Sequence, residues 1–165
     1  MYGITNFEKR QENKKMTESE SRIYGKNLIC VCVNDVSDRD INGVLWTPYE
    51  EEPLPFNSGF EMVMLMDRLY DNWDFPQRTT SYRSFGQKDK SRDYHNPNSI
   101  RKREPIRSLK TYRGEKATFL VQVKFRQNSS WQGQVLWSEK KKNVHFRSAL
   151  ELLKLMNSAL EQVEN

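Results

Sequence analysis

The sequence predicts an α+β protein that contains an internal duplication of a β-β-β-α unit. Three observations predict it: a stretch that occurs twice, a helix-capping pattern inside each copy, and apolar strand patterns before each cap. One such unit buries too little apolar surface to be stable alone. We therefore expect antiparallel strands, in one sheet or two facing sheets, packed with two capped helices about a pseudo-twofold axis.

The repeated stretch covers residues 56–66 and recurs at 146–156, an offset of 90 positions. At that offset Phe, Ser, Glu, Leu and Met recur identically, and most of the other apolar positions stay apolar. Upstream, two valines and a glycine recur at the same offset: Val31 with Val121, Val33 with Val123, and Gly43 with Gly133. Matching Trp46 with Trp137 requires one inserted residue in the second copy. The pattern of each half therefore predicts a strand, a turn, a second strand, a short third strand and a helix, in that order.

A capping box marks the start of each predicted helix. Ser58 and Ser148 each precede an apolar run and have a Glu three residues later, so that serine and glutamate cap each other's backbone N–H groups. We predict helices at about 58–72 and 148–163. Their apolar residues cover much of the circumference, which indicates burial on more than one side. A Met-rich partner groove on the first helix is the alternative for its methionines.

The strand predictions rest on apolar patterns. Residues 26–34 form a nearly continuous apolar run, typical of a central strand covered on both faces, and a polar turn is expected at 35–42. Residues 117–126 alternate clearly, and an extra strand is expected at 106–112. Shorter strands are expected at three further places: 44–46, 133–137 and 144–146.

The 165-residue chain divides into four segments: a flexible polar tail at 1–24, a first repeat at 25–75, a basic and partly disordered connector at 76–116, and a second repeat at 117–165. The connector holds twelve Lys or Arg against four Asp or Glu, whereas the rest of the chain holds fifteen against eighteen. All of the net positive charge of +5 therefore originates in the connector.

No apolar run approaches the roughly 18 residues of a membrane-spanning helix, and the N-terminus lacks the apolar core of a secretion signal. We expect a cytoplasmic protein without a membrane partner. Cys30 and Cys32 lie on one face of a strand, and we expect buried thiols, with a redox pair as the alternative. Together with the distant His95 and His145 they do not make a zinc site, so neither metal nor cofactor is expected.

Catalytic motifs are absent from the sequence. It contains no nucleophile–His–carboxylate spacing, no Gly-rich phosphate loop, no H-E-x-x-H and no paired carboxylates in an apolar context. We therefore expect a non-catalytic binding protein.

Cationic and aromatic residues alternate in the connector, a pattern typical of surfaces that neutralise phosphates and stack bases. We predict contact with an anionic partner, with nucleic acid as the leading candidate, through the connector and the turn at 127–133. The predicted ligand-binding residues are Arg101, Lys102, Arg103, Arg107, Arg126, Asn128, Ser130, Trp131 and Gly133. A solvated linker that is kept soluble by its charge is the alternative for the connector.

Two motifs suggest a more specific ligand. Residues 103–107 form R-x-x-x-R, and residues 128–133 fit [D/N]-x-S-x-x-G. Together they resemble the two-part signature of PilZ domains. The resemblance implies a cyclic di-GMP receptor in which Arg103 and Arg107 grip phosphates and stack on guanine, while Asn128 and Ser130 hold the other side. The chain departs from that pattern because Asn replaces the commoner Asp and because a helix follows after two short strands.

The second half also resembles uncharacterised small bacterial two-repeat proteins. The resemblance lies in residues 126–128, 131–133 and 146–153, together with the stretch 75–77 of the first half. That resemblance implies a bacterial or mobile-element origin and no function. It leaves a third hypothesis open, in which the chain is a protein-directed inhibitor or adaptor that uses an exposed Trp131 and the Met-rich helix.

Overall fold

A computed structural model describes residues 23–78, 83–86, 99–127 and 130–165. It has six antiparallel strands in one sheet and two long helices, so the predicted α+β class is confirmed. The elements are β1 (Ile29–Ser37), β2 (Asp40–Trp46), β3 (Leu54–Phe56), α1 (Gly59–Trp73), β4 (Ala117–Phe125), β5 (Gln132–Trp137), β6 (Lys142–Phe146) and α2 (Ala149–Glu164). Residues 1–22 of the predicted tail, and Tyr82 and Tyr94 of the connector, lie outside the described residues.

The strand order is β3-β2-β1-β4-β5-β6, so β1 and β4 form the centre of the sheet. Residues 29–33 of β1 are fully buried, as predicted for a strand covered on both faces. Both helices pack on one face, which we call the helix face. The opposite face, which we call the second face, carries Cys30 and Cys32 and is covered by Ile23, Leu109 and Tyr112.

Two glycines allow strands to approach closely at matching places in the sheet. Gly43 of β2 lies opposite Val33, and Gly133 of β5 lies opposite Val123. A Cβ atom at either glycine would lie 1.9 Å from a backbone carbonyl oxygen of the neighbouring strand. A β-bulge directly follows Val33 in β1 and Val123 in β4. Each glycine is therefore required by the backbone of the adjacent strand.

The two tryptophans do not occupy matching positions. Trp46 lies opposite Cys30 and belongs to the second face, whereas Trp137 lies opposite Phe119 and belongs to the helix face. The residue at the offset of 90 from Trp46 is Leu136, which packs in the same second-face cluster. The predicted insertion is therefore wrong, because the strand register keeps one offset throughout.

The serine half of each predicted capping box is confirmed, whereas the predicted bond from the serine N–H to the glutamate is wrong. The side-chain oxygen of Ser58 accepts from the Glu61 N–H at 3.0 Å, and that of Ser148 accepts from the Glu151 N–H at 3.0 Å. Each glutamate in turn accepts from the residue just before its serine, at 2.7 Å in α1 and 2.8 Å in α2. No helix within the described ranges is long and apolar enough to cross a membrane.

The turn predicted at 35–42 is shorter than expected. β1 continues to Ser37 and β2 begins at Asp40, so only Asp38 and Arg39 form the turn. Both have positive φ, 52° and 63°, as a two-residue hairpin that follows the strand twist requires. The polar residues on either side extend the strands because their side chains face solvent while their backbones remain paired.

The extra strand predicted at 106–112 is wrong. This segment forms turns and irregular backbone across the second face. Both edges of β1 and of β2 are already paired, so no ladder position remains for it there. Side chains hold it instead, because Leu109 is buried and the Tyr112 ring stacks on Trp46 with centroids 4.1 Å apart.

Candidate functional site

The cationic residues at 101–103 belong to one short 3-10 turn that is fixed from several sides. Ile100 at the start of the turn is fully buried. The Ser99 hydroxyl caps the turn by accepting from the Arg101 N–H. Lys26 is distant in sequence, and its Nζ donates to the carbonyl oxygens of Arg101 and Arg103 at 3.3 and 3.2 Å. The turn is therefore anchored, while its long side chains extend outward.

Three of the predicted arginines each lie against an aromatic ring. The distances from guanidinium carbon to ring centroid are 5.6 Å for Arg101 and Phe75, 5.0 Å for Arg103 and Tyr49, and 5.3 Å for Arg107 and Trp46. At this range the cation is attracted by the negative face of the ring. Each of these arginines therefore has an aromatic neighbour that comes from outside the segment 101–107.

These arginines differ in how far their charge is already compensated. Arg103 lies 3.6 Å from the Glu50 carboxylate and donates to the Tyr49 carbonyl oxygen. Arg107 donates to the Tyr112 hydroxyl at 2.7 Å. Arg101 and Lys102 are both exposed, and no carboxylate of the described residues pairs with them. Those two cations are the ones best placed to meet an external anion.

Tyr49 connects Arg103 to the core. Its hydroxyl donates to the Lys26 carbonyl oxygen, and its ring meets Trp73 edge to face at 5.4 Å. Burial raises the pKa of Tyr49 to about 12, although the Arg103 guanidinium offsets part of that rise. Tyr49 therefore stays neutral near pH 7 and serves as a fixed wall.

A cleft of about 200 Å³ opens beside Arg101. We call it the Arg101 cleft, and its lining residues are Gly25, Lys26, Asn27, Phe75, Ile100, Arg101 and Gln122. Two of its walls are apolar, from Phe75 and Ile100, and two are cationic. Asn27 Nδ2 donates to the Val123 carbonyl oxygen, which leaves Oδ1 as the acceptor of that amide. The cleft thus combines flat apolar surface, positive charge and a hydrogen-bond acceptor.

The structure places Arg126 inside the protein. It is 3% exposed, and its Nη1 lies 3.1 Å from the Asp67 carboxylate and 3.0 Å from that of Asp71. Its Nε donates to the Pro76 carbonyl oxygen at 2.7 Å. Arg126 therefore fixes the chain directly after Phe75, so it supports a wall of the Arg101 cleft from behind.

The predicted turn at 127–133 also uses its side chains internally. The Ser130 hydroxyl donates to the Arg147 carbonyl oxygen at 2.7 Å, and Gly133 forms the close strand contact described above. Trp131 is 5% exposed and meets the Tyr70 ring edge to face at 5.6 Å. The expectation of an exposed Trp131 is therefore wrong, because the ring fills the core beside α1. Asn128 lies outside the described residues.

The nine predicted ligand-binding residues thus separate into two groups. Arg101, Lys102 and Arg103 lie together on the 3-10 turn, and Arg107 follows on the second face over Trp46. Of the others that the structure describes, Arg126, Ser130 and Trp131 lie between β4 and β5, and Gly133 lies in β5. That the residues of either group bind a ligand stays a prediction, as does the cyclic-dinucleotide hypothesis.

Two residues of this region were missed by sequence reasoning. The sequence pattern predicts a strand at Lys26 and a flexible tail at Tyr24, whose side chain is 84% exposed. The Tyr24 carbonyl oxygen accepts from Gln122 Nε2 at 2.9 Å, which fixes the backbone beside the cleft. Lys26 is 75 positions from Arg101 in sequence, and no local pattern indicates a contact over that separation.

The two cysteines form a buried thiol pair with sulfur atoms 3.8 Å apart. Their mutual hydrogen bond, together with burial, raises the pKa of Cys30, whereas the same bond lowers the pKa of Cys32. Within the described ranges, no group of three or more His, Cys, Asp or Glu side chains could hold a metal ion.

Comparison with known proteins finds no matching family model, no similar curated protein and no similar solved structure. The PilZ resemblance therefore rests on its two short motifs alone.

Proposed function

We propose that this chain is a non-catalytic binding protein whose anionic partner is nucleic acid. The contact surface is the Arg101 cleft together with the exposed side chain of Lys102. The partner's phosphates are neutralised by the cations, and its bases meet the neighbouring rings.

One observation carries the proposal: Arg101 and Lys102 are exposed and unpaired with any described carboxylate, on an anchored turn beside the Phe75 ring. The segment 99–116 has seven Lys or Arg against two Asp or Glu, so the segment itself carries a net positive charge. A cation fixed next to an aromatic face is suited to a ligand that has both phosphate and base.

Phosphate binding predicts how the affinity for nucleic acid changes with salt concentration. Each phosphate that a cation neutralises releases condensed counterions, and the affinity then falls steeply with salt. For single strands the slope of log affinity against log salt changes by about 0.7 for each contact.

The test is fluorescence anisotropy of a labelled oligonucleotide over a salt series, with the full chain. The variant is Arg101→Glu with Lys102→Glu. The matched control is Lys140→Glu with Lys154→Glu, which changes the net charge equally at exposed positions elsewhere. We expect the first pair to weaken binding at least tenfold and to flatten the salt slope by about 1.4, as two lost contacts require.

Equal losses in both double variants would mean that only net charge matters, and the proposed surface would be wrong. Absence of oligonucleotide binding by the parent protein at low salt would overturn the function itself.

We further infer that the two halves derive from one duplicated β-β-β-α unit and are related by a pseudo-twofold axis. The strand register supports this. Five of the seven pairs that β1 and β2 make recur between β4 and β5 at the offset of 90, with the bulge at the same place. The β1–β4 pairing is symmetric about the facing residues Cys30 and Leu120, which are themselves 90 positions apart. Matched substitutions in the two halves, described below, test the inference.

A further inference from the structure

We propose that the Arg101 cleft holds one unpaired base, so that the preferred nucleic acid is single-stranded. This inference rests on the proposed function, because it names the form of nucleic acid that the same surface takes.

The size of the cleft is the first argument. A cavity of roughly 150 Å³ holds a benzene ring. The Arg101 cleft, at about 200 Å³, has room for one nucleobase and not for a base pair. In a duplex every base is stacked and paired, so a base can enter such a cleft only from a single strand or after leaving the stack.

The walls fit a base. Half-buried Phe75 supplies apolar surface for a face of the base, and the planar guanidinium of Arg101 lies 5.6 Å from the Phe75 ring centroid. An arginine plane and an aromatic ring both stack on bases irrespective of sequence. The side chains on these walls are anchored, because Ile100 is buried and Phe75 N–H donates to the Tyr70 carbonyl oxygen.

The polar residues of the lining point to a donor on the base. Gln122 has both ends of its amide engaged, since Nε2 donates to the Tyr24 carbonyl oxygen and Oε1 accepts from Gln134. Asn27 differs, because only its Nδ2 is engaged in a hydrogen bond, with the Val123 carbonyl oxygen. Asn27 Oδ1 is therefore the acceptor that an N–H group of the base would meet.

Tyr24 extends the site along the bound single strand of nucleic acid. It directly precedes Gly25 of the lining, and its side chain is 84% exposed. An exposed ring of this kind is a platform for the neighbouring base. The cations beside the cleft, Lys26, Arg101 and Lys102, then serve the intervening phosphates. One base in the cleft and the next on Tyr24 require an unpaired run of at least two nucleotides.

The experiment compares a labelled single-stranded oligonucleotide of mixed sequence with the duplex of the same sequence, by anisotropy at one fixed salt concentration. The full chain is used, with variants Tyr24→Ala and Phe75→Leu. The control is Phe60→Ala, which removes an equally prominent exposed ring from α1. Tyr24→Ala keeps the test valid if Phe75→Leu perturbs folding, because the Tyr24 ring makes little packing contact.

We expect the single strand to bind at least tenfold more tightly than the duplex. Tyr24→Ala and Phe75→Leu should each weaken single-strand binding roughly tenfold, in line with the loss of one stacked base, and Phe60→Ala should not.

Equal affinity for both forms, with no effect of Tyr24→Ala, would overturn the inference while leaving a phosphate-binding surface in place. Binding of neither form would overturn the proposed function as well. Loss of affinity in Phe60→Ala alone would place the stacking ring on α1 and not at the Arg101 cleft.

Discussion

The guanidinium of Arg101 and the ring of Phe75 lie 5.6 Å apart, and they form adjoining walls of one cleft. Phe75 is held from the inside, because the next residue, Pro76, accepts a hydrogen bond from buried Arg126. Arg126 in turn faces the carboxylates of Asp67 and Asp71 on α1. A buried ion network thus supports the position of an exposed cation.

That network makes Arg126→Met a costly substitution. It removes the guanidinium that faces Asp67, whose side chain is 12% exposed, and one of the two arginines that face Asp71, which keeps Arg78 at 2.9 Å. We expect the free energy of unfolding, measured by urea denaturation, to fall by about 3–5 kcal/mol. The control is Arg147→Met, whose side chain is exposed in its pair with Glu151 and should change stability by no more than about 0.5 kcal/mol. Similar effects of the two substitutions would contradict the buried network.

Gly133→Ala and Gly43→Ala test the close strand contacts. Each added Cβ would lie 1.9 Å from a backbone oxygen of the adjacent central strand, which cannot move aside without disturbing the sheet. We expect each substitution to lower the free energy of unfolding by at least about 2 kcal/mol. Gly86→Ala, at an exposed site with its nearest neighbour at 3.6 Å, should stay within about 0.5 kcal/mol of the parent. A large loss at one strand glycine and none at the other would weigh against the duplication.

Ser58→Ala and Ser148→Ala should have equal costs. Each removes the side-chain oxygen that accepts from the third N–H of its helix, in otherwise matching geometry. We expect about 1 kcal/mol of lost stability for each and about 2 kcal/mol for the pair. The measurement is the midpoint of thermal or urea unfolding with an unchanged denaturant slope. An unaffected Ser148→Ala variant would show that α2 does not depend on its cap.

Tyr70→Phe tests a buried hydroxyl. The Tyr70 oxygen has no hydrogen-bond partner in the described part of the chain, so its removal should raise the free energy of unfolding by about 1 kcal/mol at pH 7. Burial also raises the pKa of Tyr70 above the value of about 10 expected in the unfolded chain. A group whose pKa is raised by folding contributes stability at low pH that is lost as pH rises above its unfolded pKa.

The parent protein should therefore lose stability above pH of about 10, and Tyr70→Phe should lose less. Exposed Tyr24→Phe is the control and should leave the pH profile unchanged. Parallel pH profiles for the parent and Tyr70→Phe would show that the Tyr70 hydroxyl ionises as easily in the folded protein as in the unfolded chain.

Local patterns were sufficient to predict the helices and most strands. Ser58 and Ser148 placed both helix starts within one residue, because capping depends on neighbours in sequence. The same local reasoning ended β1 too early. Whether polar residues extend a strand or form a turn depends on the partner strand, and here the turn consists of Asp38 and Arg39 alone.

The candidate site could be predicted only in part. The cations at 101–103 were found from composition, since a local excess of charge is visible in sequence. Their surroundings were not, because Lys26 and Phe75 reach them through tertiary contacts. The sequence pattern predicts that Arg126 binds a ligand, because its carboxylate partners are 55 and 59 positions away and no local pattern indicates them.

Base stacking at the Arg101 cleft can be tested by ultraviolet crosslinking of the full chain to a single-stranded oligonucleotide, with the attachment sites identified by mass spectrometry. We expect crosslinks at Tyr24 or Phe75, and their loss in Arg101→Glu with Lys102→Glu. Crosslinks confined to exposed rings elsewhere, such as Phe60 or Phe125, would contradict it.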